Sequence, residues 1–176
     1  MIGQHKRDIN IIPYQSEWIE LFKQEANILR QTLGENALVV EHIGSTSVPG
    51  LAAKPVIDIM VAIESLPYAV KHIPELEACD YLYRSHDTVP ERMFFAKEPV
   101  PEFRTHHLNL TELGSGFWVN QIAFRDYLRV HEDIAEAYVN LKLHLAEEYE
   151  RTQVLDVDGK TAFVNRVLKL AKTETE

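Results

Sequence analysis

Val39-Val40-Glu41-His42-Ile43-Gly44-Ser45-Thr46-Ser47-Val48-Pro49-Gly50-Leu51-Ala52-Ala53-Lys54-Pro55-Val56-Ile57-Asp58-Ile59-Met60-Val61-Ala62-Ile63 holds two apolar runs separated by a bend of small and hydroxylated residues. The runs predict strands over Ala37 to Ile43 and Pro55 to Ile63, with a Gly/Ser/Thr turn and about one turn of helix between them. Gly44 and Gly50 allow the backbone to approach a ligand closely. Successive amides around Ser45, Thr46 and Ser47 can form a nest for an anion. Alternation along the second strand puts Val56, Asp58, Met60 and Ala62 on one face and Ile57, Ile59, Val61 and Ile63 on the other. The all-aliphatic face is the deeper one. A carboxylate among such neighbours is costly to bury unless it meets a metal or a proton donor. A phosphate cradle followed by a metal carboxylate is therefore the working reading.

Outward from this centre, Ile9 to Tyr14 is a short apolar lead-in ended by Pro13, and Ser16 is placed to cap a helix over Glu17 to Leu33. Trp18, Leu21, Phe22, Ala26, Leu29 and Leu33 recur on one face of that helix and read as core. Leu66 to Cys79 has a helical pattern interrupted by Pro74. Tyr81 to Ser85 and Glu91 to Lys97 read as strands, and the Pro-rich Lys97 to Glu102 as a turn. Arg104 to Leu113 alternates, with His106, Leu108 and Leu110 on one side and Thr105, His107, Asn109 and Thr111 on the other. Helices follow over Phe117 to His131, Asp133 to Tyr149 and Gly159 to Lys172. No repeat or linker divides the 176 residues, so a single domain over residues 1–176 is expected. The order of elements predicts an α/β (α+β) fold, a mixed sheet flanked by helices with a helical C-terminal part.

A net charge of −9 argues against general nucleic-acid binding, since there is no basic excess to release counterions. Cys79 is the single cysteine, which excludes an internal disulfide framework and fits a reducing, cytoplasmic setting. No apolar run is long enough for a membrane helix, and no signal-type segment opens the chain.

If the strand bearing Asp58 meets the later strand with polar faces matched, Asp58, His107 and Asn109 share one side. That set reads as half of a Mg²⁺ or Mn²⁺ site, or as an Asp58–His107 pair that only orders the sheet. Lys54 and Arg125 are candidate phosphate partners beside Gly44, Ser45, Thr46 and Ser47. The helix bearing Arg125 and Arg129 reads equally well as a brace, and Arg92, Arg104, Lys142 and Lys160 leave the same choice open. No zinc cluster, Walker-type loop or serine-hydrolase elbow is present.

The stretch Glu41 to Ile59 resembles the signature of the GrpB-like family, as do Thr105-His106-His107-Leu108, Phe124 to Arg129, Tyr138 to Lys142 and Asp158-Gly159-Lys160. The likeness runs over nearly the whole chain. GrpB-like proteins resemble members of the nucleotidyltransferase superfamily. That resemblance implies a mixed sheet with flanking helices, a Gly-Ser turn at nucleotide phosphates and metal-binding carboxylates on the next strand. The superfamily pattern has two carboxylates two positions apart and a third on a later strand. Here Asp58 fills the first position, Met60 the second, and His107 and Asn109 stand on the strand expected to carry the third. Two functions follow. One is a metal-dependent nucleotidyltransferase that moves a nucleoside monophosphate from an NTP to a small acceptor, with Asp58 catalytic. The other is a nucleotide- or phosphometabolite-binding module, or an accessory domain, without turnover.

Overall fold

The central strand β3 (Ile57–Ile63) is a run of β-branched and small side chains buried almost throughout, as expected of a strand covered on both faces. In the computed structural model, which describes residues 2–152 and 157–175, β3 lies second in a five-stranded sheet. On one side it pairs antiparallel with β2 (Val39–Ile43), through the Gly44-containing turn, with Ile43 opposite Asp58. On its other side it pairs parallel with β7 (His106–Glu112), with Asp58 opposite His107 and Met60 opposite Asn109. Beyond β7 come β5 (Met93–Lys97) and the edge strand β4 (Tyr81–Tyr83), each antiparallel to its neighbour. Parallel strands need a crossover. Here it contains the short helices α2 (Leu66–Ala69) and α3 (Ile73–Glu77), with Pro74 in the first turn of α3, where a missing N–H costs nothing.

The register fixes the faces. Ile57, Ile59, Val61 and Ile63 pack with Leu108, Leu110, Met93 and Phe95 against Trp18, Leu29 and Leu33 of α1 (Glu17–Leu33). Each large side chain fully buried there contributes roughly 1.5–3 kcal/mol. The opposite face, carrying Asp58, Met60, His107 and Asn109, lies on the side of the C-terminal helices α4 (Gly116–Val130), α5 (Glu132–Thr152) and α6 (Val157–Thr175). A second apolar cluster joins Val48 and Leu51, in the loop after the turn, to Leu128, Ala135 and Tyr138 of α4 and α5. The helical part is thus anchored on the same loop that carries the glycines.

Two details depart from the sequence reading. Ser16 has helical dihedrals and makes no side-chain cap bond, whereas Ser115 caps α4 through Oγ, accepting from the Trp118 amide at 3.2 Å. The N-terminal lead-in is tied in more firmly than its composition suggests. Strand β1 (Gln4–His5) pairs with β6 (Phe103–Arg104), and Ile12 and Ala53 exchange backbone hydrogen bonds of 2.9 and 3.0 Å. The segment between crosses the mouth of the polar face.

Candidate functional site

Strand pairing brings the bend and the carboxylate together. Gly44 follows Ile43, whose partner across the sheet is Asp58. Its dihedrals (φ 68°, ψ −173°) are nearly restricted to glycine. A methyl group on Gly44 would overlap Oδ2 of Asp58. The Asp58 side chain remains 33% exposed, so it is neither sealed under aliphatics nor turned away. Its Oδ1 accepts from His107 Nδ1 at 3.0 Å, which commits that oxygen and leaves Oδ2 beside the turn. His107 packs on Phe94 at 5.2 Å between ring centres, and its Nε2 is buried with no protein partner among the described residues.

Asp58 and His107 line a cavity of about 410 Å³ together with Ser45, Thr46, Lys54, Lys142 and Lys160, walled on its apolar side by Ile9, Ile11, Val56 and Tyr138. Lys142 reaches it from α5. Its ammonium donates to Ser45 Oγ at 3.0 Å and to the Ala52 carbonyl at 2.7 Å, and sits 4.8 Å from the centre of the Tyr138 ring. Burial, then the neighbouring Lys160 charge, brings the Lys142 pKa down to about 8. Lys54 is lowered for the same two reasons, burial first and Lys160 second. In a chain of net charge −9, this concentrates positive charge in one place and disfavours it there until an anion arrives.

Other expected phosphate partners are engaged elsewhere. Ser47 donates its hydroxyl to the Gly44 carbonyl at 2.6 Å, closing the bend. Thr46 Oγ1 lies 3.0 Å from His42 Nε2, so its side chain pins the turn, although the residue borders the cavity. His42 is itself stacked on Phe22 at 4.6 Å, and burial brings its pKa down to about 4. Arg125 is not a wall of the cavity. It donates to Glu41 Oε2 at 2.6 Å, to Asp126 Oδ1 at 2.8 Å and to the His42 carbonyl at 3.1 Å. Arg129 donates twice to the Ser47 carbonyl, at 2.9 and 3.2 Å. Both arginines are braces between α4 and the backbone that flanks the bend. Asn109, expected beside a metal, shares the face of Asp58 but spends both ends of its amide. Nδ2 donates to the Ile59 carbonyl at 3.1 Å, and Oδ1 accepts from Arg92 at 3.3 Å.

For Lys142 and Lys160 the sequence left open the choice between a phosphate partner and a brace. The usable signal was Tyr138 one turn before Lys142, an i, i+4 pair that marks a lysine stem laid on an aromatic face. The contribution of Ile9 and Ile11 had no such signal, because it depends on the N-terminal segment crossing the sheet.

The family model described as "GrpB protein" matches residues 8–170. The chain belongs to the GrpB family. Among relatives, the UPF0157 protein YqkA of Bacillus subtilis (strain 168) is 32% identical over 95% of the chain, and the chain spans about half of it (48% of its length). The crystal structure of conserved protein GrpB from Enterococcus faecalis superposes with a TM-score of 0.83 at 37% identity, covering 95% of this chain and 100% of that one. The Cid1 poly(U) polymerase, solved with MgGTP bound, superposes with a TM-score of 0.52 at 15% identity. That match covers 78% of this chain and 44% of Cid1, and it shows the nucleotidyltransferase-like fold.

What this GrpB-family site can hold follows from its donors. Among the described residues, no group of three or more His, Cys, Asp or Glu side chains is arranged to hold a metal ion. Magnesium asks less of a protein when phosphate oxygens and water complete its shell, and one or two carboxylates then suffice. Asp58 Oδ2 meets that requirement for a single cation entering with phosphate. The residues do not fit a pair of cations. Met60, next on the same strand face, is a thioether with 0% exposure, and Glu41 on β2 is held by Arg125. Among the described residues, no helix is long and apolar enough to cross a membrane.

Proposed function

We propose that the GrpB-family pocket binds the phosphate groups of a small phosphorylated ligand, an NTP or another small phosphoester. The observation that carries this reading is the convergence of Lys54, Lys142, Lys160, Ser45 and Asp58 on one cavity of about 410 Å³. Phosphate oxygens take the place of the hydroxyl and carbonyl that Lys142 now contacts, and the anion offsets the burial that disfavours the charged forms of Lys54 and Lys142. Asp58 would hold one Mg²⁺ or Mn²⁺ through Oδ2, supplying charge neutralisation between phosphate oxygens. His107 keeps the Asp58 carboxylate turned toward the bend. Calorimetric titration with ATP and with tripolyphosphate, each with and without Mg²⁺, tests the reading. Wild type should bind both, Lys142→Met at least tenfold more weakly, and Asp58→Asn should lose the gain that Mg²⁺ gives. Absence of binding at millimolar ligand would overturn it.

A second reading, nucleotidyl transfer, is favoured by the free oxygen of Asp58 beside the glycine bend and by the fold shared with Cid1. In that reaction an acceptor oxygen bonds to the α-phosphorus as the bond to pyrophosphate breaks, and catalysis rests on positioning and electrostatics. Pyrophosphate released from an NTP by wild type, over a panel of small acceptors, and lost in Asp58→Ala would support it. Tight binding with no release would leave the binding function alone.

A further inference from the structure

A second cavity of about 490 Å³ lies beside the first, and Ile9, Ile11 and Ala146 are walls of both. Its character is different. Apart from the shared residues it is bounded by Ile12, Pro55 and Leu143 and by the polar Gln4, Asn10 and Glu147, with no lysine, arginine or aromatic ring among the described residues. Gln4 is 7% exposed. Its Nε2 donates to the Asp8 carbonyl at 2.9 Å, while its Oε1 is buried with no partner among the described residues. A buried carbonyl-type oxygen left in this way is a lasting cost that a ligand N–H or O–H can relieve.

We infer that this groove takes the uncharged part of the same ligand: an extended aliphatic chain bearing an amide or hydroxyl donor, esterified to the phosphate held by the lysines. The inference rests on the phosphate-binding reading of the neighbouring pocket and adds to it the class of the organic moiety. Three features set that class. Continuity across Ile9 and Ile11 lets one molecule occupy both spaces. The aliphatic walls give apolar contact but no ring for a nucleobase to stack on. The unpartnered Gln4 oxygen calls for a donor, which a plain hydrocarbon lacks. Glu147 at the edge of the groove further disfavours an anionic tail.

The test uses three ligands with the same charged head: inorganic phosphate, 4′-phosphopantetheine (an aliphatic tail with two amides) and AMP (an aromatic base). Titrated into the full chain, phosphopantetheine should bind at least tenfold more tightly than inorganic phosphate and more tightly than AMP. Leu143 is 41% exposed, so a charge there is tolerated by the fold. In Leu143→Asp the ratio of phosphopantetheine to phosphate affinity should fall to near one. As a second probe, Gln4→Met should also reduce that ratio, because a thioether of similar length removes the amide oxygen that accepts from the ligand. Equal affinity for phosphopantetheine and phosphate, or a preference for AMP, would overturn the inference while leaving phosphate binding intact. No binding of any of the three would instead remove the phosphate reading on which it stands.

Discussion

At the scale of single residues, Lys142 is the most informative position. Its pKa of about 8, set chiefly by burial, means that raising the pH from 7 to 9 strips its charge in the free protein, where an exposed lysine keeps its charge to about pH 10.4. Affinity for tripolyphosphate is therefore expected to fall about tenfold over that range, and Lys142→Met should flatten the dependence. Calorimetry at both pH values checks this. The same shift has the opposite sign for stability. Between about pH 8 and the unfolded value the unfolded chain holds the extra proton, so the cost of burying the charge is relieved as pH rises. Gly44 is the second such position. Gly44→Ala meets both a glycine-only backbone conformation and the Asp58 carboxylate. A loss of about 1–3 kcal/mol is expected from the backbone alone, read from the urea midpoint, with weaker phosphate binding alongside it. Wild-type stability in that variant would mean the bend is not held in the conformation described.

Between elements, the bend is held from two sides. From α4, Arg125 and Arg129 grip the backbone of β2 and the turn. Arg125→Gln leaves Glu41 without its cation and is expected to cost about 1.5–3 kcal/mol in chemical denaturation. From the α1 side, His42 is stacked on Phe22 and neutral, with a pKa of about 4, and burial brings His106, the first residue of β7, to the same value. Burial lowers both, so the stability they confer is complete above about pH 6.5. It is lost on acidification toward pH 4, because only the unfolded chain takes up the protons. At pH 5 the expected loss is on the order of 2 kcal/mol per histidine, and His42→Gln should remove its share of the pH dependence. The elements themselves were legible in the sequence, because α1 carries the period of a helix buried on one face and β3 and β7 the apolar runs of strands covered on both. The alternation also set Asp58 against His107, and the hydrogen bond between them was one of the two roles it left open. Other roles were hidden. Whether an arginine binds a ligand or a neighbouring carbonyl depends on partners more than eighty residues away, as with Arg125 and His42, at a separation of 83. Local spacing contains no information on that choice.

For the molecule as a whole, a strongly acidic chain gathers Lys54, Lys142 and Lys160 on one wall-to-wall cavity and places an aliphatic groove beside it. The net charge of −9 works against any large polyanion, while a small phosphoester meets the lysines in the cavity. Phosphate affinity should drop as ionic strength rises from 50 to about 500 mM, since the Debye length contracts from roughly 14 to 4 Å. The groove contribution to a tailed ligand should survive that change. The N-terminal segment that forms the shared wall was visible in the sequence as an apolar lead-in, and its place at the site emerges only from the pairing of Ile12 with Ala53. The most direct measurement is anomalous diffraction from crystals soaked with Mn²⁺ and the non-hydrolysable β,γ-imido analogue of ATP. The expected result is one Mn²⁺ peak bound to Asp58 Oδ2, with phosphate oxygens on Ser45, Lys54 and Lys142. Phosphate density away from the Gly44–Asp58 junction, or a metal peak without Asp58 among its ligands, would contradict it.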